Sequence, residues 1–169
     1  MFKDMRNCLI ACQGPSQALS AIDALYYYTN GDMHQIAQSC VVLGGMNSPN
    51  LQAINSACVD IFKAWGITKI IDATDLQEYE RSYEIYTPCL MKKLPENSDI
   101  LFQTRSRQPF NIALRKILPD SKKICIGDGS GIFTEIDRKS SDYFDCWISY
   151  FALFYNMKIK KPLILIPLE

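Results

Sequence analysis

Apolar positions along this chain come in short bursts separated by turn formers, and the bursts alternate in kind. Asn7 to Cys12 is a brief run of strand formers and small apolar residues, stopped by Gly14-Pro15-Ser16. Behind it Ala18, Leu19, Ile22, Leu25 and Tyr26 recur at helical spacing until Asn30-Gly31-Asp32. Ser16 is placed to cap that helix. The same alternation follows once more. Ser39 to Leu43 reads as a buried strand broken by Gly44-Gly45, and Ser48-Pro49 starts a helix with a capping hydroxyl and an early proline. Leu51, Ile54, Cys58, Ile61, Phe62 and Trp65 trace one apolar face of that helix, Gly66 stops it, and Ile67 to Ile71 is a third short strand. Strand, helix, strand, helix, strand in this order predicts a parallel sheet with helices packed on its faces.

The second half continues the theme less regularly. Residues 72 to 95 are polar and rich in tyrosine and acid (Tyr79, Glu80, Tyr83, Glu84, Tyr86), which fits either a helix broken before Pro88 or a long excursion over the sheet edge. Asp99 to Gln103 predicts a fourth strand. Phe110, Ile112, Ala113, Leu114, Ile117 and Leu118 predict a helix closed by Pro119, and Lys123 to Ile126 a further strand. Asp142 to Met157 is heavily apolar and aromatic and is expected as a buried helix. Pro162 to Leu168 is a last apolar run flanked by prolines, and its position beside Glu169 leads us to expect that more protein follows. The expected architecture is one Rossmann-like α/β domain over residues 1–169, three layers (α/β/α) around a mostly parallel sheet, without internal repeats, low-complexity segments or flexible linkers.

Composition narrows the function classes. The 18 basic and 18 acidic residues balance to a formal net charge of +0, so no basic block points to nucleic acid and no polybasic helix to a membrane surface. No apolar run approaches the roughly 20 residues that cross a bilayer. The opening Met-Phe-Lys-Asp-Met-Arg leads into a short apolar run with no cleavage site and reads as the approach to the first strand rather than a signal peptide. The 7 cysteines are odd in number and form no Cys-x-x-Cys pair. Cys8, Cys12, Cys40 and Cys125 sit inside strand-like runs, as expected of buried reduced thiols in a cytoplasmic protein. The 1 histidine, His34, has no paired ligand spacing, so neither a metal nor a cofactor is expected.

The chemistry concentrates in two glycine-containing loops. Gly127-Asp128-Gly129-Ser130-Gly131 follows the strand at Lys123 to Ile126 and mounts one carboxylate between glycines, where a ligand can come close. Its spacing is not the Gly-x-Gly-x-x-Gly of a dinucleotide site, and it lacks the Gly-Lys-Ser or Gly-Lys-Thr of a phosphate loop. A plain glycine turn is the structural alternative. Gly14-Pro15-Ser16-Gln17 follows the first strand, and ligands of open parallel sheets bind beyond the carboxyl ends of the strands. Backbone amides at that helix start favour an anionic or hydroxyl-rich ligand. Arg105, Arg107 and Asn111 follow the fourth strand and are expected at the same rim, where arginine suits a carboxylate or phosphate. His34 is expected in a loop without a nucleophile beside it. The tyrosines between Tyr79 and Tyr86 either stack on a sugar or base or pack against the domain or a neighbour.

Two of these segments carry a resemblance. Cys12-Gln13-Gly14-Pro15-Ser16-Gln17-Ala18-Leu19-Ser20-Ala21 resembles the opening loop of bacterial sialyltransferases and capsule polysialyltransferases, a Pro-x-Gln turn leading into an Ala/Leu helix. Ile126-Gly127-Asp128-Gly129-Ser130-Gly131 resembles their short acidic-acidic-glycine motif, with Gly127 where the family has its first acid. The resemblance implies one half of a GT-B glycosyltransferase: the N-terminal, acceptor-side domain, inactive without a second domain that holds the CMP-sugar donor. The family's His-Pro pair for the donor is missing here, since Gln35 follows His34. On this mapping Asp128 is the general base of an inverting sugar transfer. Gly14, Pro15, Ser16, Gln17, Arg107, Asn111, Gly127, Gly129 and Ser130 then bind substrate. The partner is a glycan acceptor, with a partner domain or second copy meeting the exposed apolar surface. Two other readings stand beside it: a free-standing small-ligand or nucleotide-binding α/β module without catalysis, and an interaction protein that assembles through its aromatic surface.

Overall fold

In a computed structural model the chain folds as a three-layer α/β/α sandwich of Rossmann-like type; the structure describes residues 7–45, 48–104, 108–127, 143–149 and 163–165. The first half runs β1 (Cys8–Cys12), α1 (Pro15–Tyr28), α2 (Met33–Gln38), β2 (Cys40–Leu43), α3 (Leu51–Ala64) and β3 (Lys69–Asp72). A 3-10 helix (Thr74–Tyr79), α4 (Tyr83–Lys93), β4 (Ile100–Gln103), α5 (Pro109–Ile117), β5 (Lys122–Ile126), β6 (Cys146–Ser149) and β7 (Leu163–Leu165) follow. The strands form one 7-stranded sheet in the order β3-β2-β1-β4-β5-β6-β7, and every pairing is parallel.

Strand alternation builds the two cores. Ile10 and Cys12 of β1, Val41 and Leu43 of β2 and Phe102 of β4 face α1, α2 and α3, where they meet Ala18, Ala21, Ile22, Leu25, Ile36, Cys58 and Phe62. Leu9, Ala11, Val42 and Leu101 point the other way, onto Tyr86 and Leu90 of α4 and Phe110, Ala113 and Leu114 of α5. The central strands are buried along their whole length, which is why they read as continuous apolar runs. Alanines on the buried face of α1 let that helix lie close to the sheet.

Several elements differ from expectation. Pro15 is the first residue of α1 and Gly14 holds the cap position without a side chain, so Ser16 is inside the first turn and exposed rather than the cap. His34 belongs to α2, whose cap is the Asp32 carboxylate accepting from the backbone N–H groups of His34 (3.0 Å) and Gln35 (3.2 Å). The α4 helix continues through Pro88, because Tyr86 and Leu90 are buried on either side of it and packing outweighs one missing backbone bond. Within the segment expected as a buried helix, Cys146–Ser149 is a strand, in register with β5 at Ile124 and Cys146. A short run buried on both faces has no periodicity to separate strand from helix. The tyrosines of residues 79 to 86 divide: Tyr86 is buried, whereas Tyr79 and Tyr83 are partly exposed. All 7 cysteines are free thiols, and Cys8, Cys12, Cys58, Cys125 and Cys146 are buried. Among the described residues no helix is long and apolar enough to cross a membrane.

Candidate functional site

The strand order reverses direction between β1 and β4: from β1 the chain winds outward to β2 and β3, then returns to β4 and winds the other way. The carboxyl edge between β1 and β4 is therefore the switch point of the sheet, and the crevice at such a point is the usual ligand position in sheets of this kind. Gln13 and Gly14 follow β1 at this edge, Gly44 and Gly45 follow β2, and Thr104 and Gln108 follow β4.

An amide network closes the floor of this crevice. Gln13 is its centre. The backbone N–H of Gln13 donates to Gln17 Oε1 at 2.9 Å, which ties the loop to the first turn of α1. The side-chain Nε2 of Gln13 donates to the Gly45 carbonyl at 3.1 Å and to Gln108 Oε1. Its Oε1 accepts from Asn111 Nδ2 at 3.0 Å. Farther in, Gln103 Nε2 donates to the Asn111 carbonyl (3.0 Å) and to Asn111 Oδ1 (3.1 Å), and Arg115 Nη1 donates to Gln103 Oε1 at 3.0 Å. Gln103 and Asn111 are buried, so these bonds form in a low-dielectric setting where an unmade one is costly. One glutamine thus joins the loops after β1, β2 and β4.

The glycines after β2 make room for that junction. Gly45 has φ +66, and a Cβ there would lie 2.3 Å from Gln13 Nε2 and 3.0 Å from Phe110 Cβ. A Cβ on Gly44 would lie 2.5 Å from the Phe110 ring. At Gly14, by contrast, a Cβ would meet nothing within 4 Å, because the residue borders the open crevice.

Beneath the β1 loop, Cys12 Sγ contacts Cys58 Sγ at 3.9 Å and the Gly14 carbonyl at 3.4 Å. The Cys12 thiol is pushed upward by the hydrogen bond it donates to Cys58 and by burial, so it stays protonated. Thr104 Oγ1, just past the end of β4, is buried, and among the described residues it has no hydrogen-bond partner. Strand alternation puts it on the same face as Phe102, the α1 side.

The residues expected at the site fall into three groups. Gly14, Pro15, Ser16 and Gln17 lie together at the head of α1, with Gln17 buried and bonded to the loop. Asn111 is buried rather than displayed at the rim, and both ends of its amide are engaged. Gly127 ends β5 at the same carboxyl edge, where its N–H donates to the Ile148 carbonyl at 2.8 Å. Asp128, Gly129, Ser130, Arg105 and Arg107 lie outside the described residues. Sequence reasoning did not single out Gln103, Gln108 or Arg115. A glutamine closing the apolar strand Ile-Leu-Phe-Gln was the available signal, since a buried amide needs partners.

A second concavity of about 840 Å³ runs along the outer edge of the sheet between α3 and β3, lined among others by Leu51, Asn55, Val59, Lys63, Ile70 and Asp72. Two carboxylates line it, Asp60 and Asp72, and the second is already committed: Asp72 Oδ1 accepts from the Thr74 N–H (2.9 Å) and hydroxyl (2.6 Å), and Oδ2 from Asn55 Nδ2 (3.3 Å). The amide network gives the crevice between β1 and β4 the richer set of neutral hydrogen-bonding groups.

Neither a known protein family, nor a curated protein, nor a solved structure matches the chain.

Proposed function

We propose that this chain is the acceptor-side domain of a sialyltransferase-like inverting glycosyltransferase. The observation that carries the reading is the neutral amide network at the topological switch point, which joins Gln13, Gln108 and Asn111 beside the open space at Gly14. Uncharged amides and a helix start suit a hydroxyl-rich ligand, and the network fixes them in place before binding, so little ordering cost remains. The resemblance of the loop at residues 12–21 and of the motif at residues 126–131 supplies the rest. Asp128, next in the chain after Gly127, takes the proton of the acceptor hydroxyl as its oxygen forms a bond to the anomeric carbon of the donor sugar. The bond pair to the leaving phosphate oxygen departs with the nucleotide, and charge developing on the sugar ring is stabilised by the carboxylate. Donor binding is assigned to a second unit, as in the enzymes that the chain resembles.

A nucleotide-binding module without catalysis is the second reading, favoured by the strand order itself, which is shared with dinucleotide-binding sheets. Titration of the chain with lactose, sialyllactose, a short oligosialic acid and CMP, followed by amide NMR, separates the two. The glycosyltransferase reading expects at least one sugar, and not CMP alone, to shift Gln13, Gly14 and Gln108. Shifts with CMP and none with any sugar would overturn it. In a complete enzyme assay Asp128→Asn is expected to abolish turnover with sugar binding retained, and unchanged turnover would remove Asp128 from the mechanism.

A further inference from the structure

The orientation of every amide in the network is set by groups that can play only one part. Arg115 is a donor only, so the Gln103 atom 3.0 Å from it is the oxygen. The Asn111 carbonyl is an acceptor only, so the Gln103 atom 3.0 Å from it is the nitrogen, which agrees. That nitrogen also meets Asn111 Oδ1 at 3.1 Å, leaving Asn111 Nδ2 to donate to Gln13 Oε1. The Gly45 carbonyl, again an acceptor only, requires the Gln13 nitrogen at 3.1 Å. The remaining proton of Gln13 Nε2 goes to Gln108, which must present its oxygen. Donation therefore runs one way, from the guanidinium through Gln103, Asn111 and Gln13 to Gln108.

The end of that chain has a consequence for recognition. With Oε1 engaged by Gln13, the NH2 group of Gln108 is left for another partner, and among the described residues nothing accepts from Gln108 Nε2. Gln108 is half-buried, heads α5 at the β4 side of the crevice and touches Gln13, whose neighbour Gly14 borders open space. We propose that Gln108 is a specificity-determining ligand contact whose NH2 group donates to an acceptor oxygen of the bound sugar, in an orientation imposed through Gln13, whose nitrogen is fixed by the Gly45 carbonyl and which agrees with the donation from Arg115 at the far end of the network. The proposal rests on the sugar-binding reading for the class of ligand; the polarity of the network does not. A free amide of the opposite orientation would present an oxygen and select a donor instead, so the polarity of the network decides which kind of group the crevice accepts.

Two measurements test this on the same chain. Hydrogen exchange of the side-chain amides without ligand is expected to be slow for Gln13 and Gln103 and close to the solvent rate for Gln108. Protection of the Gln108 NH2 in the free protein overturns the proposal whether or not any sugar binds. Gln108→Glu keeps an oxygen for Gln13 and replaces the NH2 donor by a second oxygen. With the Asn111 and Gln13 resonances unchanged, binding of the sugar that binds best to the unmodified chain, from lactose, sialyllactose and oligosialic acid, is expected to weaken about tenfold or more. Equal affinity in Gln108→Glu overturns the proposal while the sugar-binding reading survives. If no sugar binds the unmodified chain, that reading fails and the ligand contact fails with it, whereas the exchange pattern still reports the polarity.

Discussion

Gln13 sits one residue beyond a strand whose side chains are all buried, and both nitrogen protons and the oxygen of its amide are engaged, by the loop after β2 and by the first turn of α5. Removing one partner from such a set leaves buried polar atoms unpaired, which costs more than the bond itself contributes. Asn111→Ala strips Gln13 Oε1 of its donor and Gln103 Nε2 of one acceptor. It is expected to lower unfolding stability by about 1–3 kcal/mol in urea denaturation and to broaden the Gln13 side-chain resonances. A change under about 0.5 kcal/mol, the level of a surface substitution, would mean that the network is not closed in solution. At this scale the sequence was only partly legible. Gly14 and Gln17 stood in an evident loop, and Asn111 was expected near the rim. What could not be read was that Asn111 faces inward, because its partners Gln13 and Gln103 lie 98 and 8 residues away and only the strand order brings all three together.

Elements were legible where a period existed. Apart from α2, the strands and helices from β1 to β3 follow the runs and spacing of apolar residues, and β4, α5 and β5 do as well. The short α2 was not, since six residues are too brief to show a helical period, and β6 was not, since it lies within the unbroken apolar and aromatic run Asp142 to Met157, where no turn former marks off a strand. The α4 helix is instructive in another way. Its proline argues against it locally, and the helix persists because Tyr86 and Leu90 are driven into the core on the α5 side. Tyr86 brings a liability with it: its hydroxyl is buried and has no hydrogen-bond partner among the described residues, and burial raises the pKa of the phenol. Deleting only that oxygen keeps the ring that anchors the helix. Tyr86→Phe is accordingly expected to be neutral or to stabilise by about 1 kcal/mol, read from the urea midpoint at unchanged slope. Destabilisation beyond about 1 kcal/mol would show that the hydroxyl finds a partner in solution.

On the scale of the whole molecule, the sheet gathers protonated thiols and phenols into one apolar interior, and this fixes how stability depends on alkali. The Cys8 thiol is raised from 9.0 to about 12, first by burial and then by the charge of Asp99. The Tyr28 phenol is raised from 10.0 to about 12, first by burial and then by Cys8 and Cys146. Cys40 and Cys146 are raised as well, chiefly by burial. Cys58 moves the other way because it accepts the Cys12 S–H, and it offsets part of the effect. Each raised group holds its proton more tightly folded than unfolded. In alkali the unfolded chain releases protons first, and unfolding is favoured progressively. The stabilisation is therefore fully present below the unfolded value of 9.0 for Cys8 and is lost as the pH climbs toward about 12. The urea midpoint is expected to hold level up to that lower value and then to fall through the interval, reversibly under reducing conditions. Cys8→Ala removes one of these groups, so its decline should be shallower than that of the unmodified chain, measured against its own neutral-pH midpoint to cancel the cavity it leaves. Equal slopes for the two chains would mean that the thiol at the start of β1 is reached by hydroxide without unfolding, and that this end of the sheet opens locally.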